Sequence, residues 1–160
     1  ERGWSVSFPP GWDAPASLDL GELKPWSELP DKAASRFSGS AIYRTTFRLD
    51  AFKPDKRVVL DLGRVGDLAE VRINGRRAAV LWTAPFRVDI TLYARAGDNE
   101  LEIEVTNTWH NRLAHDAGLP ADKRKTWTFN PPDANAPLEF AGLGGPVQVR
   151  VGRTFDLLRQ

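Results

Sequence analysis

The residues best suited to chemistry lie close together in a polar stretch between Thr108 and Asn135. An indole ring can stack on the apolar C–H face of a sugar, and planar amide, guanidinium, imidazole and carboxylate groups can bond the hydroxyls around its rim. The candidate sugar-contacting residues of this stretch are Trp109, His110, Asn111, Arg112, His115, Asp116, Arg124 and Trp127. A smaller group of the same kind is Trp82 with Thr83. Both groups are typical of carbohydrate binding.

Each of these candidates also has a purely structural interpretation. Arg112 and Asp116 are four residues apart and could pair with each other to hold the stretch. Trp82 stands beside an alternating strand, which favours packing in the core. Trp109 and Trp127 lie where no apolar period predicts burial, so exposure and packing both stay open for them.

Catalytic and metal sites have little support in the sequence. Two carboxylates roughly 5–9 Å apart can hydrolyse a glycosidic bond, but the period-two spacing of Glu100, Glu102 and Glu104 favours a solvated strand face. His110 and His115 lack both a third strong ligand and the helical spacing of a zinc site. There is no nucleophile elbow, phosphate loop or cysteine. We therefore expect no catalysis by this chain alone, and no cofactor.

A structural calcium ion is the remaining metal to consider, because a loop rich in oxygen atoms could hold one. The candidate donors are Asp61, Asn107, Asp116 and Glu139. They do not follow the sequential Asp/Asn spacing of a calcium loop. Calcium therefore stays an open alternative to a domain without metal.

Four short stretches organise the middle of the chain. Val58–Leu62 is an apolar run that stops at Gly63, and the alternating stretches are Ala69–Ile73, Phe86–Ile90 and Leu101–Val105. Period-two alternation bounded by Gly, Asn and Asp is typical of half-buried antiparallel strands. Asn74-Gly75 between two of them predicts a hairpin, because both residues tolerate positive φ. A two-residue loop would place Arg72 opposite Arg77, a like-charge pair, so a longer loop through Arg76 stays open.

Further strands are predicted on both sides of this region, at Trp4–Phe8, Leu18–Leu23, Ala41–Leu49 and Val147–Val151. The stretch between Thr108 and Asn135 lacks an apolar period and is interpreted as one long loop, which is typically functional or disordered. Strands that follow one another without helices indicate a sandwich or barrel. We predict an all-β fold, a single jelly-roll sandwich of about eight strands, formed by one domain over residues 1–160.

Composition narrows the class of protein. The formal net charge is +1, which argues against binding to nucleic acid, and no apolar run is long enough to span a membrane. Cysteine and methionine are both absent, methionine even at position 1. The first residues also lack the basic and apolar segments of a signal peptide. We expect a processed product or a piece of a larger protein, without disulfides.

Four segments, in this order, carry a family resemblance: FSGSAIYRTTF (37–47), VVLDLGRVGDLAEVRINGRRAAVLWTAPFRVDIT (58–91), AGDNELEIEVTNTWHNRL (96–113) and LEFAGLGGPVQVRV (138–151). They resemble the galactose-binding-like, sugar-binding jelly-roll domain of glycoside hydrolase family 2. They are still more similar to the β-sandwich near the C-terminus of family 106 α-L-rhamnosidases. Family 2 domains usually carry an aromatic-rich acidic stretch before the glycine turn. Leu138, Glu139 and Phe140 stand there instead, which favours the rhamnosidase-like branch.

The resemblance implies a non-catalytic, carbohydrate-binding-type accessory module of a rhamnosidase-like glycoside hydrolase. In such enzymes the catalytic carboxylates lie on a separate (β/α)8 barrel. The implied partners are that catalytic domain of the same parent chain and plant or algal cell-wall saccharides, including rhamnose-containing ones, and the implied location is secreted or periplasmic. Two alternative functions stay open: a structural spacer and a protein-interaction module. An exposed aromatic surface on the long loop would favour sugar binding, and a buried loop would favour the structural spacer. A large flat apolar patch would favour a protein partner.

Overall fold

Two packed sheets form the fold within residues 3–52 and 56–153, the residues that this computed structural model describes. The strands are β1 (Trp4–Ser7), β2 (Ser17–Gly21), β3 (Ser40–Leu49), β4 (Lys56–Asp61), β5 (Arg64–Val65), β6 (Leu68–Ile73), β7 (Arg76–Leu81), β8 (Arg87–Asp89), β9 (Gly97–Thr106), β10 (Leu143–Gly145) and β11 (Gln148–Arg153). The helices are α1 (Lys32–Ser35) and α2 (His110–Ala117), with single 3-10 turns at Trp26–Glu28 and Ala121–Lys123. None of the helices in these two ranges has the length and apolar character needed to cross a membrane.

The larger sheet has six strands in the order β2-β1-β3-β9-β6-β7, and the smaller sheet has three in the order β11-β4-β8. β10 and β5 form a separate pair. The pairings between these strands are antiparallel. The predicted all-β sandwich is therefore confirmed, with more strands than expected. The predicted single domain extends into residues outside the described ranges and stays a prediction.

The pairing of β3 with β9 shows how alternation sorts the two faces of the larger sheet. The strands align along their whole length, from Ser40 opposite Thr106 to Leu49 opposite Gly97. The residues of β9 that face the core are buried, and they are Leu101, Ile103 and Val105. The residues between them form the outer face, and they are Glu100, Glu102 and Glu104. These glutamates therefore belong to a strand face, as their spacing predicts.

The hairpin at Asn74-Gly75 has the two-residue loop, and Arg72 lies opposite Arg77. Asn74 and Gly75 have φ values of 52° and 75°, as the tightest hairpin turn requires. The register shifts by one residue just before Arg72. The two cations are tolerated because Glu70 bridges them, with Oε1 on Arg72 Nη2 and Oε2 3.0 Å from Arg77 Nε. The longer loop is therefore not adopted.

Aromatic residues fill the core behind the start of β3. Trp26, Phe37 and Tyr43 are buried, and the Trp26 ring stacks on Tyr43 at 6.0 Å. Trp26 Nε1 donates to Phe37 O at 3.1 Å and Tyr43 Oη donates to Lys24 O at 3.1 Å, so both polar atoms are satisfied. Gly142 closes this corner with φ +104°, and a Cβ there would lie 2.5 Å from Tyr43 Oη. Only glycine fits at that position.

One end of the larger sheet gathers several long connections. Thr106, the last residue of β9, lies opposite Ser40 at the start of β3 and opposite Leu68 at the start of β6. The register of β1 on β3, and of β7 on β6, brings the connections after β1 and β7 to the same end. We call it the loop end, and it comprises residues 8–16, 82–86 and 107–142. Nearly all the sequence candidates lie in these connections.

Candidate functional site

The predicted long loop begins with helix α2, which the apolar pattern did not predict. The buried residues of α2 are Asn111, Arg112, Ala114 and Asp116. Because most of them are polar, the helix has no apolar stripe of the kind that reveals an amphipathic helix in a sequence. The structure corrects the prediction here: polar contacts hold a helix where an irregular loop was expected.

Arg112 and Asp116 form a buried ion pair on α2. Their side chains are 5% and 1% exposed, and Arg112 Nη2 lies 2.9 Å from Asp116 Oδ1. Asp116 Oδ2 accepts hydrogen bonds from the backbone amides of Lys125 at 3.0 Å and Thr126 at 2.7 Å, and from the Thr126 hydroxyl at 2.7 Å. The structural interpretation of this pair is therefore present. The structure corrects the expectation that Arg112 and Asp116 face a ligand, since both lie below the surface.

Asn111 and His110 attach α2 to the segment that precedes β10. The buried amide of Asn111 donates from Nδ2 to Glu139 O at 2.9 Å and accepts on Oδ1 from Glu139 N at 2.8 Å. His110 Nδ1 lies 3.4 Å from Glu139 Oε1. The backbone amide of Arg112 donates to Ser38 Oγ at 3.1 Å and ties the helix to the residues before β3. These candidates hold the chain together in the described structure.

Arg124 closes the C-terminal end of α2. Its Nε donates to Leu119 O at 2.8 Å and its Nη2 donates to Ala117 O at 3.3 Å. Carbonyl groups at a helix C-terminus have no partner within the helix, and the helix dipole favours a cation there. Arg124 is also exposed, so it combines a capping role with a charge at the surface.

The turn after β1 packs against α2 through Trp12 and Asp13. The rings of Trp12 and Trp109 lie 5.4 Å apart with their planes tilted by 56°, and Trp109 is 45% exposed. Asp13 Oδ2 lies 3.5 Å from Arg112 Nη1, and Oδ1 lies 2.6 Å from Lys125 Nζ. The hydrogen bond from Lys125 holds the pKa of Asp13 below its usual value. The result is a half-open aromatic pair with a charged rim.

A fully open aromatic pair follows residues 125–126. The ring centroids of Trp127 and Phe129 are 4.6 Å apart, with an angle of 63° between the planes. The two side chains are 67% and 92% exposed. The two residues are two apart in the sequence, a spacing that puts side chains on the same side wherever the chain is extended. These two rings form an exposed aromatic surface at the loop end.

Trp82 is 82% exposed in the connection between β7 and β8. This finding contradicts the expectation that Trp82 packs in the core. The reason is that Phe86 occupies the core position of this connection, while residues 83–85 are exposed together with Trp82. Trp82 therefore remains a surface candidate at the loop end.

The charges around α2 favour ionised Asp116 and neutral His115. Burial opposes the ionisation of Asp116, but the hydrogen bonds from Thr126 and the positive charge of Arg112 outweigh it and hold the pKa below its usual value. Burial, together with the positive charges of Arg36 and Arg112, lowers the pKa of His115. Both shifts therefore stabilise the folded domain above the usual pKa values of these groups, and this stabilisation is lost as the pH falls.

Clustered metal ligands are absent from residues 3–52 and 56–153: no three His, Cys, Asp or Glu side chains there come together in a way that could hold an ion. The candidate calcium donors make other contacts. Asp61 Oδ2 accepts from Arg87 at 2.7 Å, and Asn107 Oδ1 accepts from the amide before β3 at 2.8 Å. Asp116 and Glu139 make the contacts of α2.

A comparison with protein families shows what kind of domain this is. A family model described as "Glycosyl hydrolase 2 galactose-binding domain-like" matches residues 30–141, well over half of the chain. The chain belongs to this family. The matched region contains β3 to β9, α2 and the Trp127–Phe129 pair. The family resemblance inferred from the sequence segments is therefore confirmed.

Individual relatives point in the same direction. The structure of the rhamnosidase from Novosphingobium sp. PP1Y is 42% identical with a TM-score of 0.85, over 93% of this chain and 14% of that one. A provisionally named β-glucuronidase from Formosa agariphila is 41% identical over 121 residues, 74% of this chain and 10% of that protein. The β-D-glucuronidase of Dictyoglomus thermophilum shares the fold alone, with a TM-score of 0.56 at 19% identity over 68% of this chain and 19% of that one. The chain thus spans a small part of each relative.

Sequence reasoning missed Trp12, Asp13, Lys125 and Phe129. Phe129 was detectable, because its spacing from Trp127 places both rings on one side of an extended chain. Trp12, Asp13 and Lys125 were not, since the Lys125–Asp13 bond joins residues 112 positions apart. No local pattern encodes such a contact.

Proposed function

We propose that this domain is a non-catalytic accessory module of a glycoside hydrolase and that its loop end binds carbohydrate. The observation that carries the proposal is the exposed Trp127–Phe129 pair on a backbone that is held in place. Adjacent large apolar rings at a surface commonly mark a binding site. Sugar fits them, because its C–H faces stack on aromatic rings while its hydroxyls reach nearby polar groups.

The backbone that carries these rings is tied down on two sides. The amides of Lys125 and Thr126 bond to Asp116, and Lys125 Nζ reaches both Gly11 O and Asp13 Oδ1 at 2.6 Å. A surface that is ordered before its ligand arrives loses less conformational entropy on binding. The anchoring therefore supports a role in ligand contact.

The Trp12–Trp109 pair extends the candidate surface. The ammonium of Lys125 binds Asp13, the neighbour of Trp12, and Lys125 stands two residues before Trp127. An extended chain advances at most about 3.6 Å per residue, so the Cα atoms of Lys125 and Trp127 lie within about 7 Å. The Asp13–Lys125 ion pair, which can bond sugar hydroxyls, therefore lies close along the chain to both aromatic pairs. Such a surface suits an oligosaccharide better than a single sugar.

The relatives indicate which saccharides to test. One is named as a rhamnosidase and another as a β-glucuronidase, but this chain spans only 14% and 10% of them. As part of the proposal, we take rhamnose-containing oligosaccharides of plant or algal cell-wall type as the first ligands, and uronic-acid-containing ones as the second. The proposed location is secreted or periplasmic.

A second candidate function is docking on the catalytic domain of the same parent chain, where loop-end residues would line the rim of the active site. The exposure of Phe129 favours it, because this side chain has no polar atom and aromatic residues are enriched in protein interfaces. In that case the partner domain covers Trp127 and Phe129. A structural spacer without any ligand would need neither ring at the surface.

Isothermal titration calorimetry on Trp127→Ala tests the first proposal. Loss of a stacked ring should weaken binding of rhamnose-containing oligosaccharides by about 1–2 kcal/mol, roughly tenfold in Kd. The Tm should change little, because an exposed ring contributes little to the core. Trp109→Ala and Trp82→Ala are measured in parallel. Leu92→Ala is the control, since Leu92 is 82% exposed and lies beside the opposite end of β7.

A lower Tm with unchanged binding in Trp127→Ala would contradict the proposal and identify the ring as packing. A loss confined to Trp82→Ala would move the site to the connection between β7 and β8. If no saccharide binds and the parent enzyme shields Trp127 from a fluorescence quencher, the docking function is supported instead.

A further inference from the structure

A buried carboxylate holds the two residues that precede the exposed aromatic pair. Asp116 is 1% exposed. Its Oδ2 accepts three hydrogen bonds from this short piece of chain: from Lys125 N at 3.0 Å, Thr126 N at 2.7 Å and Thr126 Oγ1 at 2.7 Å. The next residue is Trp127, so the carboxylate controls the peptide groups from which the rings project.

Stability alone is a poor reason for this arrangement. Removing a carboxylate and a guanidinium from water carries a desolvation penalty that their attraction often fails to offset. A buried ion pair can instead select one geometry among several. Arg112 shows which geometry is selected, because its Nη2 lies 2.9 Å from Asp116 Oδ1 and its Nη1 lies 3.5 Å from Asp13 Oδ2. It thereby connects α2 with the turn that binds Lys125.

The restraint acts on the backbone and not on the rings. Trp127 and Phe129 are mainly exposed and contact each other, so the direction in which they project depends on residues 125–126. Asp116 holds these residues from the side of α2. Lys125 Nζ, through its bond to Gly11 O at 2.6 Å, holds them from the side of the first turn.

We infer that Asp116 is a positioning residue for the carbohydrate-binding surface: it contacts no ligand and orders the backbone that carries Trp127 and Phe129. The binding readout of this inference rests on the proposed function, while the backbone readout does not. Loss of the carboxylate removes the ordering of the rings and leaves the rings themselves present. Binding then becomes weaker because the ligand must order them.

Hydrogen–deuterium exchange followed by NMR tests the restraint without any ligand. In Asp116→Asn the amides of Lys125 and Thr126 should exchange at least about tenfold faster. This increase should exceed the increase at the amides of β3 and β9, which reports the loss of global stability caused by the unpaired Arg112. Asn111→Ala is the matched control, because Asn111 is another buried polar residue of α2. It should expose the amide of Glu139, which lies 2.8 Å from Asn111 Oδ1, and leave residues 125–126 unchanged.

A double-mutant cycle tests whether Asp116 acts through Trp127. Asp116→Asn should weaken oligosaccharide binding about tenfold in the wild-type background. The loss should fall below about twofold in the Trp127→Ala background, where no indole ring remains to be positioned. Asn111→Ala should change binding in neither background. Thr126→Val removes one of the three bonds, should act in the same direction, and replaces Asp116→Asn if that variant fails to fold.

Unchanged exchange at Lys125 and Thr126 in Asp116→Asn would overturn the inference. Equal binding losses in the two backgrounds, or equal losses for Asp116→Asn and Asn111→Ala, would also overturn it, because they indicate a general loss of structure. If Trp127→Ala itself leaves binding unchanged, the sugar does not bind at Trp127 and the binding part of the inference fails. The exchange rates alone then decide whether Asp116 orders this backbone.

Discussion

Arg112 and Asp116 on α2 depend on each other. Either charge would be uncompensated inside the protein without its partner, and an unpaired buried charge is strongly destabilising. Asn111 solves the same problem without charge, since its amide satisfies both backbone groups of Glu139. The buried face of this helix is therefore held by hydrogen bonds and an ion pair in place of apolar packing. These directional contacts determine the path of the chain that follows the helix.

His115 should make the stability of the domain depend on pH. Its pKa in the folded protein is lower than the usual 6.5 because of burial and the charges of Arg36 and Arg112. The folded state therefore binds this proton less readily than the unfolded chain does. The contribution of His115 to stability is fully present above pH 6.5 and is lost as the pH falls through the folded pKa.

Urea denaturation of wild type and His115→Gln on both sides of pH 6.5 measures this effect. The wild-type unfolding free energy should fall on the acid side, and the variant should show a smaller fall over the same interval. Equal pH dependence in the two proteins would mean that His115 does not contribute.

At the level of the elements, cross-strand pairs on the outer face of the larger sheet reinforce its register. Glu102 lies opposite Arg44 on one neighbouring strand and opposite Arg72 on the other. It forms an ion pair at 2.9 Å with Arg44 Nε and lies 3.8 Å from Arg72 Nε. Partly exposed pairs of this kind stabilise only slightly. A slip by one residue would break them and turn the apolar face outward, so together they favour one register.

Two glycines with positive φ allow the turns to be tested as a matched pair. Gly75 has φ +75° and open space where a Cβ would lie, whereas Gly142 has φ +104° and would place a Cβ 2.5 Å from Tyr43 Oη and 2.7 Å from Trp26 N. Gly75→Ala should therefore cost about 1–2 kcal/mol of unfolding free energy. Gly142→Ala should cost more than about 3 kcal/mol, because the core must shift as well.

Chemical denaturation of both variants measures the difference between them. Similar losses would mean that the corner at Gly142 relaxes freely around a new side chain. A large loss in Gly75→Ala alone would place the constraint in the hairpin turn instead.

The sequence predicted the elements whose signals are local. Alternation within β9 is enough to predict a strand, and Asn74-Gly75 is enough to predict a turn. The register of that hairpin was left open, because the bridge by Glu70 is a tertiary contact between side chains. The expected burial of Trp82 was wrong. Either Trp82 or Phe86 could fill the core position of this connection, and in the structure Phe86 fills it.

The candidate site was less predictable than the strands for the same physical reason. Trp127 and Trp109 were found from residue type and context. The roles of Arg112 and Asp116 depend on burial by Trp12 and on bonds to residues 125–126. The spacing of apolar residues cannot predict a helix whose buried face is polar, and for this reason α2 was not predicted.

For the whole molecule, the sandwich and the loop end carry separate tasks. The core lies between the sheets and uses alternating apolar residues, while the candidate contacts come from connections that share one end of the larger sheet. Rigid sheets that hold loops of variable sequence commonly support binding sites. The family match over residues 30–141 includes β3 to β9 together with the loop-end residues 82–86 and 107–141, so these connections belong to the matched domain.

The isolated domain should release no product from aryl glycosides, including the α-L-rhamnoside. Glycoside hydrolysis by paired carboxyl groups requires one of them to stay protonated through a raised pKa beside an ionised partner. Several carboxyl groups are shifted in the opposite direction, to a lower pKa, and they are Asp13, Asp61, Asp89 and Asp116. A chromogenic assay of the purified chain, with a complete rhamnosidase as positive control, measures turnover. Turnover that disappears in Glu139→Gln or Asp116→Asn would overturn the non-catalytic assignment. It would show that these carboxylates act on substrate in addition to their structural contacts with other segments.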